Sequence, residues 1–318
     1  MGRTNSTADC LLGVQRGREE AEAAAGDGCA AGSEEALGAS LKDPGDTRTY
    51  LTTADVRAQA VIVDGLRRAF PGVVLVGEED EGEEGAAALA ERAAWWPAGG
   101  QELQGGCGVC GVSVVSEELP DEYRALRLSE LVVFIDPLDG TREFVHGRLD
   151  AVQTLIGVAW RGRPVAGAIG LPFHDGRAGR APDAAGSEAA GAVLHGIVGL
   201  GLFGLPGGTA DADGAAQPGR VCLVCAASKT VKEDVLVKTH AIVGGQTLVA
   251  GGCGNKILQL LTGAADVAVF NLGTSLWDTC ATEALLAAAG GRLTTLLGHP
   301  IDHTAAAPTP NRWNSHFQ

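Results

Sequence analysis

A short apolar run, Leu131 to Ile135, ends without a spacer in Asp136-Pro137-Leu138-Asp139-Gly140-Thr141. The run reads as a strand, and the acidic residues that follow it stand where side chains and carbonyls leave a core element and point into a cleft. Pro137 lacks an amide and stiffens the turn, so Asp136, the Leu138 carbonyl and Asp139 can converge on one point, as a hard divalent cation requires. Gly140 permits close approach of the backbone to a phosphate, and Thr141 offers a hydroxyl beside it. Taken alone, an Asp-Pro-x-Asp-Gly run reads equally as a plain turn.

Two further acidic clusters follow the same rule. Val73 to Val76 reads as a buried strand that ends in Gly77-Glu78-Glu79-Asp80, and Asp278 stands at the start of the last clear helix, from about Asp278 to Ala289 and closed by Gly290-Gly291. Each has a bland alternative: a solvated acidic loop for Glu78 to Asp80, a helix N-cap for Asp278. Val56, Ala60, Val63, Leu66 and Phe70 recur at helical spacing until Pro71-Gly72 stops the helix, and Asp55 closes a Thr52-x-x-Asp55 capping box. Thr154 to Trp160 reads as a strand, Arg161 to Pro164 as a turn and Val165 to Ile169 as the returning strand. Residues 1 to about 45 read as a frayed helix or partly disordered arm, residues 81 to about 120 as a Gly-rich acidic insertion.

The 318 residues carry a net charge of -15, which argues against a partner such as DNA or RNA, whose phosphates need a basic footprint. A small anionic substrate stays compatible with this charge, because bound divalent cations reverse the local field of an acidic site. The 47 glycines predict many turns and close backbone contacts. Eight cysteines without a secretory signal point to a reducing compartment, with the cytoplasm as the default, and to no structural disulfides. Cys222 and Cys225 fall in a strand-like run where their spacing sends them to opposite faces; Cys107 and Cys110 lie in a Gly-rich loop without a redox context. Gly199-x-Gly201-x-x-Gly204 matches a dinucleotide fingerprint in letters only, since Pro206-Gly207-Gly208 follows where a helix has to begin. The stretch from Ala189 to Gly208 is broken by His195, Pro206 and glycines, so it reads as buried strands and not as a membrane span. The opening Met1-Gly2-Arg3-Thr4-Asn5-Ser6 fits the loose myristoylation pattern, a short pattern that often arises by accident.

The three acidic segments, Gly77-Glu78-Glu79-Asp80, Asp136 to Thr141 and Trp277-Asp278, resemble in order the signatures of the lithium-sensitive, metal-dependent inositol monophosphatase superfamily. Arg142-Glu143-Phe144, Leu149-Asp150, Thr154 to Ala159, Gly254-Asn255-Lys256-Ile257 and Trp277 to Ala281 are similar to its 3'(2'),5'-bisphosphate nucleotidase branch, from about Ser40 to Ser315. The resemblance implies an α/β (α+β) fold, a layered αβαβα sandwich of two lobes with the metal site between them. It divides the chain into an arm (1–45), an N-terminal lobe (46–171) and a C-terminal lobe (172–318). By family position, Glu78, Asp136, the Leu138 carbonyl, Asp139 and Asp278 would bind two or three Mg2+ ions. Thr141, oriented by Asp55, would accept the proton of the attacking water, with Glu79 in support. Gly140, Ser228, Lys229, Gly252 and Lys256 would contact the substrate. The family's usual Thr and His appear here as Ala226 and Lys229, which loses one hydroxyl but keeps a cation for a phosphate. For Lys256 the alternative is a solvated lysine at a helix start. The implied reaction is removal of the 3'-phosphate of adenosine 3',5'-bisphosphate, with its sulfated analogue as a second substrate. Inositol polyphosphate 1-phosphatase or monophosphatase activity is the alternative in the same class, and a non-catalytic binding or scaffold relative is the alternative of another class.

Overall fold

The computed structural model describes residues 37–42, 50–79, 85–87, 119–174, 191–204, 222–226, 242, 246–270 and 273–304. Most of the N-terminal arm, most of the 81–120 insertion with Cys107 and Cys110, and the 227–241 segment with Ser228 and Lys229 lie outside the described residues. The end of the arm corrects the expectation of a frayed or disordered stretch to about residue 45, because Leu37 is fully buried in the core and Ser40–Leu41 pairs as a strand. A two-residue ladder, β1 (Ser40–Leu41) with β2 (Tyr50–Leu51), leads into helix α1 (Thr53–Ala69). The predicted capping box is formed: the Asp55 carboxylate accepts from the Thr52 amide at 2.7 Å, so one orphan donor of the first turn is satisfied. Arg67 and Arg68 fill the last turn, where cations suit the helix dipole.

The main sheet has the order β3-β4-β5-β6-β7-β8, with β3 (Val74–Gly77) parallel to β4 (Leu131–Asp139) and the rest antiparallel. Its other strands are β5 (Gln153–Trp160), β6 (Arg163–Leu171), β7 (Ala192–Ile197) and β8 (Gly201–Phe203). The last two form a Gly-rich antiparallel pair, which disposes of the dinucleotide fingerprint. β4 is buried on both faces, as its unbroken apolar run requires. Val133 and Ile135 pack with Val63 and Leu66 of α1, while Phe134 packs with Cys280 and Trp277 of α4 (Leu276–Ala288).

Helix α3 of this chain (Cys253–Leu261) lies beside α4 on the sheet, with Ile257, Leu261, Ala281 and Leu285 sharing a core with Leu155, Ile169 and Leu194. The other side of α3 packs on a parallel sheet of order β10-β9-β11, formed by β10 (Gln246–Ala250), β9 (Cys222–Ala226) and β11 (Val267–Val269). Helix, sheet, helix pair and second sheet thus make four of the expected layers; no fifth is among the described residues. The paired residues Gly157 and Gly167 set the closeness of α4 to the sheet: a Cβ on either would fall 2.4–2.5 Å from the Ala281 backbone. No described helix is long and apolar enough to cross a membrane.

Two boundaries correct the sequence expectations. β4 does not stop at Ile135 but continues through the acidic motif to Asp139. Its pairing with β5 runs from Asp136↔Leu155 to Asp139↔Gln153, so β4 holds one extra residue there. Such a bulge tolerates Pro137, which has no amide to give to a ladder. Helix α4 begins before Asp278: Ser275 is its N-cap and Asp278 is the third helical residue of a second capping box. At its far end Gly290, at φ 81°, closes the helix with Gly291 N–H donating to Leu286 O at 2.7 Å.

Candidate active site and metal centre

The β4 bulge places Asp136 and Asp139 on the side of the sheet where α3 and α4 begin. The Leu138 amide donates to Asp136 Oδ1 at 3.0 Å, and the Thr154 hydroxyl donates to the Pro137 carbonyl at 2.9 Å, which together fix the bulge. Asp139 in turn receives the first amides of α3: Cys253 N–H on Oδ1 and Gly254 N–H on Oδ2, both at 2.7 Å. A carboxylate at a helix N-terminus is favoured by those orphan donors and by the dipole. Close approach demands glycine here. Gly252, at φ 76°, would place a Cβ 2.9 Å from Asp139 Oδ2.

Asp278 arrives from α4, and its Oδ2 accepts the Ser275 amide. Carboxylate oxygens of Asp136, Asp139 and Asp278 all lie within 4.8 Å of one another. Burial raises the pKa of each. Asp136 stands well above the usual carboxylate range because it is buried and faces Glu78, Asp139 and Asp278. Burial and then Glu78 push Asp278 up to about 8, against the pull of the Ser275 amide. Asp139 is raised by burial, although Cys253 N–H and Lys256 oppose it. Two buried carboxylates and the half-buried Asp278 packed this closely repel one another, and the all-oxygen set, with no imidazole in it among the described residues, fits a hard divalent cation such as Mg2+.

Glu78 borders the cluster without joining the 4.8 Å group. Its charge helps to raise the pKa of Asp136, and its carboxylate takes the Lys42 ammonium at 2.6 Å. Lys42 also pairs with Glu79, whose pKa burial and then Glu78 push up to about 7. The backbone of Glu79 is clamped by Gln59 of α1, which accepts from its amide at 2.9 Å and donates to its carbonyl. Asp80 lies outside the described residues.

Thr141 opens a short helix, α2 (Thr141–Val145), behind Gly140, whose φ of 86° is the left-handed region open to glycine. Its hydroxyl lies 3.0 Å from Asp55 Oδ1 and 3.1 Å from the Leu138 carbonyl. Asp55 is fully buried, and burial pushes its pKa up to about 6 against the Thr52 hydrogen bonds. One carboxylate therefore caps α1 with one oxygen and orients Thr141 with the other. Lys256 is buried, not a solvated helix-start lysine: it is 5% exposed, its ammonium donates to Gly252 O at 2.7 Å, and it sits 5.6 Å above the Phe270 ring.

The structure thus brings Asp55, Glu78, Glu79, Asp136, Leu138, Asp139, Gly140, Thr141, Gly252, Lys256 and Asp278 to one region, while Ser228 and Lys229 lie outside the described residues. Lys42, Gln59 and the Cys253 and Gly254 amides went unread in the sequence. Lys42 and Gln59 carry no local pattern; the amides were signalled by the helix start after Gly251-Gly252.

The inositol monophosphatase family profile matches residues 14–316, and the chain belongs to that family. It is a phosphatase, a phosphoric monoester hydrolase. Human 3'(2'),5'-bisphosphate nucleotidase 1 is 35% identical over 254 residues, spanning 79% of this chain and 73% of that protein. The Dictyostelium discoideum protein of the same name is 34% identical over 282 residues, spanning 83% and 78%. Among solved structures, the extragenic suppressor protein suhB of Bartonella henselae superposes with a TM-score of 0.54 at 17% identity, covering 93% of this chain and 86% of that one. An IMPase/NADP phosphatase complexed with Mg2+ and phosphate gives a TM-score of 0.52 at 14% identity, covering 83% and 78%. These two share the fold.

Proposed function

We infer that this phosphatase is Mg2+-dependent and removes the 3'-phosphate of adenosine 3',5'-bisphosphate, giving AMP and phosphate, with the sulfated analogue as a second substrate. The observation that carries the reading is the meeting of Asp136, Asp139 and Asp278 within 4.8 Å beside the Thr141–Asp55 pair. The choice of nucleotide is supported by relatives at 34–35% identity that bear the bisphosphate nucleotidase name.

Glu78, Asp136, the Leu138 carbonyl, Asp139 and Asp278 would hold two or three Mg2+ ions. When bound, such ions supply charge neutralisation to a phosphate and make water a better nucleophile. Asp55 holds the Thr141 hydroxyl in one orientation, so that this oxygen can accept a proton from water as its own proton moves to the carboxylate. With its pKa near 6, Asp55 is ionised and ready for that proton at neutral pH. Gly140 leaves backbone room for the scissile phosphate, and Gly252 and Lys256 supply a backbone turn without a side chain and a cation for the second phosphate, joined by Ser228 and Lys229. Glu79 supports Glu78 through their shared partner Lys42. In this reading residues 46–171 and 172–318 act as two lobes and the protein works in the cytosol.

Phosphate release measured with adenosine 3',5'-bisphosphate, its sulfated analogue, inositol 1-phosphate and an inositol polyphosphate tests the assignment. Magnesium-dependent release from the nucleotide, suppressed by chelator and by lithium at tens of millimolar, is the expected result; that dose is an order of magnitude for competition at a hard-cation site. Turnover of inositol phosphates alone would move the substrate to that class. No turnover of any of them with Mg2+ would favour a binding or scaffold protein.

A further inference from the structure

A second buried polar cluster lies behind the metal centre. The 301–304 segment crosses the β5–β6 turn, where His303 N–H donates to Gly162 O at 3.0 Å in an isolated bridge. Asp302 packs against Gly162 so closely that a Cβ there would fall 2.4 Å from its Oδ1. The His303 side chain is fully buried, edge-on to Phe134 at 5.8 Å between ring centroids. Its Nε2 lies 3.1 Å from the Thr279 hydroxyl, while its Nδ1 and Glu283 Oε2 are both buried without a hydrogen bond, 3.8 Å apart.

Thr279 Oγ1 lies 2.9 Å from Ser275 O, an oxygen that can only accept, so the hydroxyl spends its proton there. The Thr279 oxygen is then free to accept from an Nε2–H of the imidazole. Ser275, in turn, gives its own amide to Asp278 Oδ2. An unbroken chain of contacts thus leads from His303 through Thr279 and Ser275 to Asp278, whose carboxylate shares the 4.8 Å cluster with Asp136 and Asp139. The imidazole also presses on Phe134, two residues before Asp136 on the same face of β4.

We propose that His303 is a positioning residue for the metal centre: it holds the first turn of α4 against β4 and so fixes Asp278 opposite Asp136. The inference rests on the reading of these carboxylates as metal ligands. Outer contacts of this kind orient ligands and, when removed, lower metal affinity by about 10–100-fold. Nothing in the reaction asks His303 to touch substrate.

Binding of Mn2+ to the full chain without substrate, followed by the paramagnetic resonance signal of free Mn2+, tests this. H303F keeps the ring against Phe134 but removes both nitrogens; H303Q restores an N–H near Nε2; T279V removes the hydroxyl at equal volume. Mn2+ affinity is expected to fall by about tenfold in H303F and T279V and to recover in H303Q, with melting temperatures in EDTA close to the wild type. Wild-type affinity in H303F or T279V, or no recovery in H303Q, overturns the proposal. If H303F does not fold, T279V decides alone. Failure of the wild-type chain to bind Mn2+ would instead sink the metal-centre reading itself.

Discussion

The Thr141 hydroxyl lies 3.0 Å from Asp55 Oδ1, across 86 positions of sequence. The same carboxylate caps α1 through Thr52, so the helix cap and the orientation of the Thr141 hydroxyl share one side chain. Thr141→Val removes the hydroxyl and leaves the cap. It is expected to lower kcat by about 10²–10⁴-fold, the range of a lost acid–base group, with melting temperature little changed. Steady-state kinetics beside a thermal melt checks this; turnover near the wild type would remove Thr141 from the reaction.

Asp55 also sets a pH dependence. Because burial holds its pKa near 6, the ionised, proton-accepting form is lost as pH falls through 6, and kcat should fall with it. The acid limb of the kcat profile measures this, and it should vanish from the residual activity of Asp55→Asn.

In the metal-free protein the carboxylate cluster opposes folding. Asp278, with an unfolded pKa of 3.8 and a folded value of about 8, binds more protons in the folded chain between those limits. Stability in EDTA is therefore lost as pH rises from 3.8 towards 8. Asp278→Asn should melt higher than the wild type in EDTA at pH 8, with the gap closing at pH 5. Added Mg2+ should stabilise the wild type at pH 8 and do far less for the variant.

Lys256 is buried between Gly252 and Phe270. Lys256→Met keeps the stem and loses the charge. KM for adenosine 3',5'-bisphosphate is expected to rise by about tenfold, worth about 1.4 kcal/mol, with a smaller change for a monophosphate substrate. Equal effects on both would assign Lys256 a purely structural part.

Gly157 and Gly167 face the Ala281 backbone. A Gly157→Val side chain cannot be accommodated by a rotamer change, because the atoms it meets are helix backbone. The expected cost is about 3 kcal/mol or more, at or beyond the upper end for overpacking. Denaturant unfolding measures it, and loss of Mg2+ stabilisation should accompany it as α4 carries Asp278 away.

Legibility differed from element to element. The helix after Thr52 was readable because its cap, its period and Pro71-Gly72 all agree locally, and the strands from Thr154 to Ile169 because a turn separates two apolar runs. The end of β4 was misread: nothing between Ile135 and Asp139 announces that the strand continues, since the ladder resumes only because β5 pairs across a bulge. Gln59 could not be found either. Its partner is the Glu79 backbone, twenty positions away.

The sequence by itself determined the residue chemistry: carboxylates after apolar runs, a hydroxyl behind Gly140, glycines where backbones meet, and an order of motifs that marks the family. Tertiary structure alone decided that Asp136, Asp139 and Asp278 share one space, that Asp55 reaches Thr141, and that His303 stands behind α4. The reason is physical. Local pattern records what each residue prefers over a few neighbours, whereas burial and mutual repulsion of charges depend on which distant segments the packed layers bring within a few ångströms.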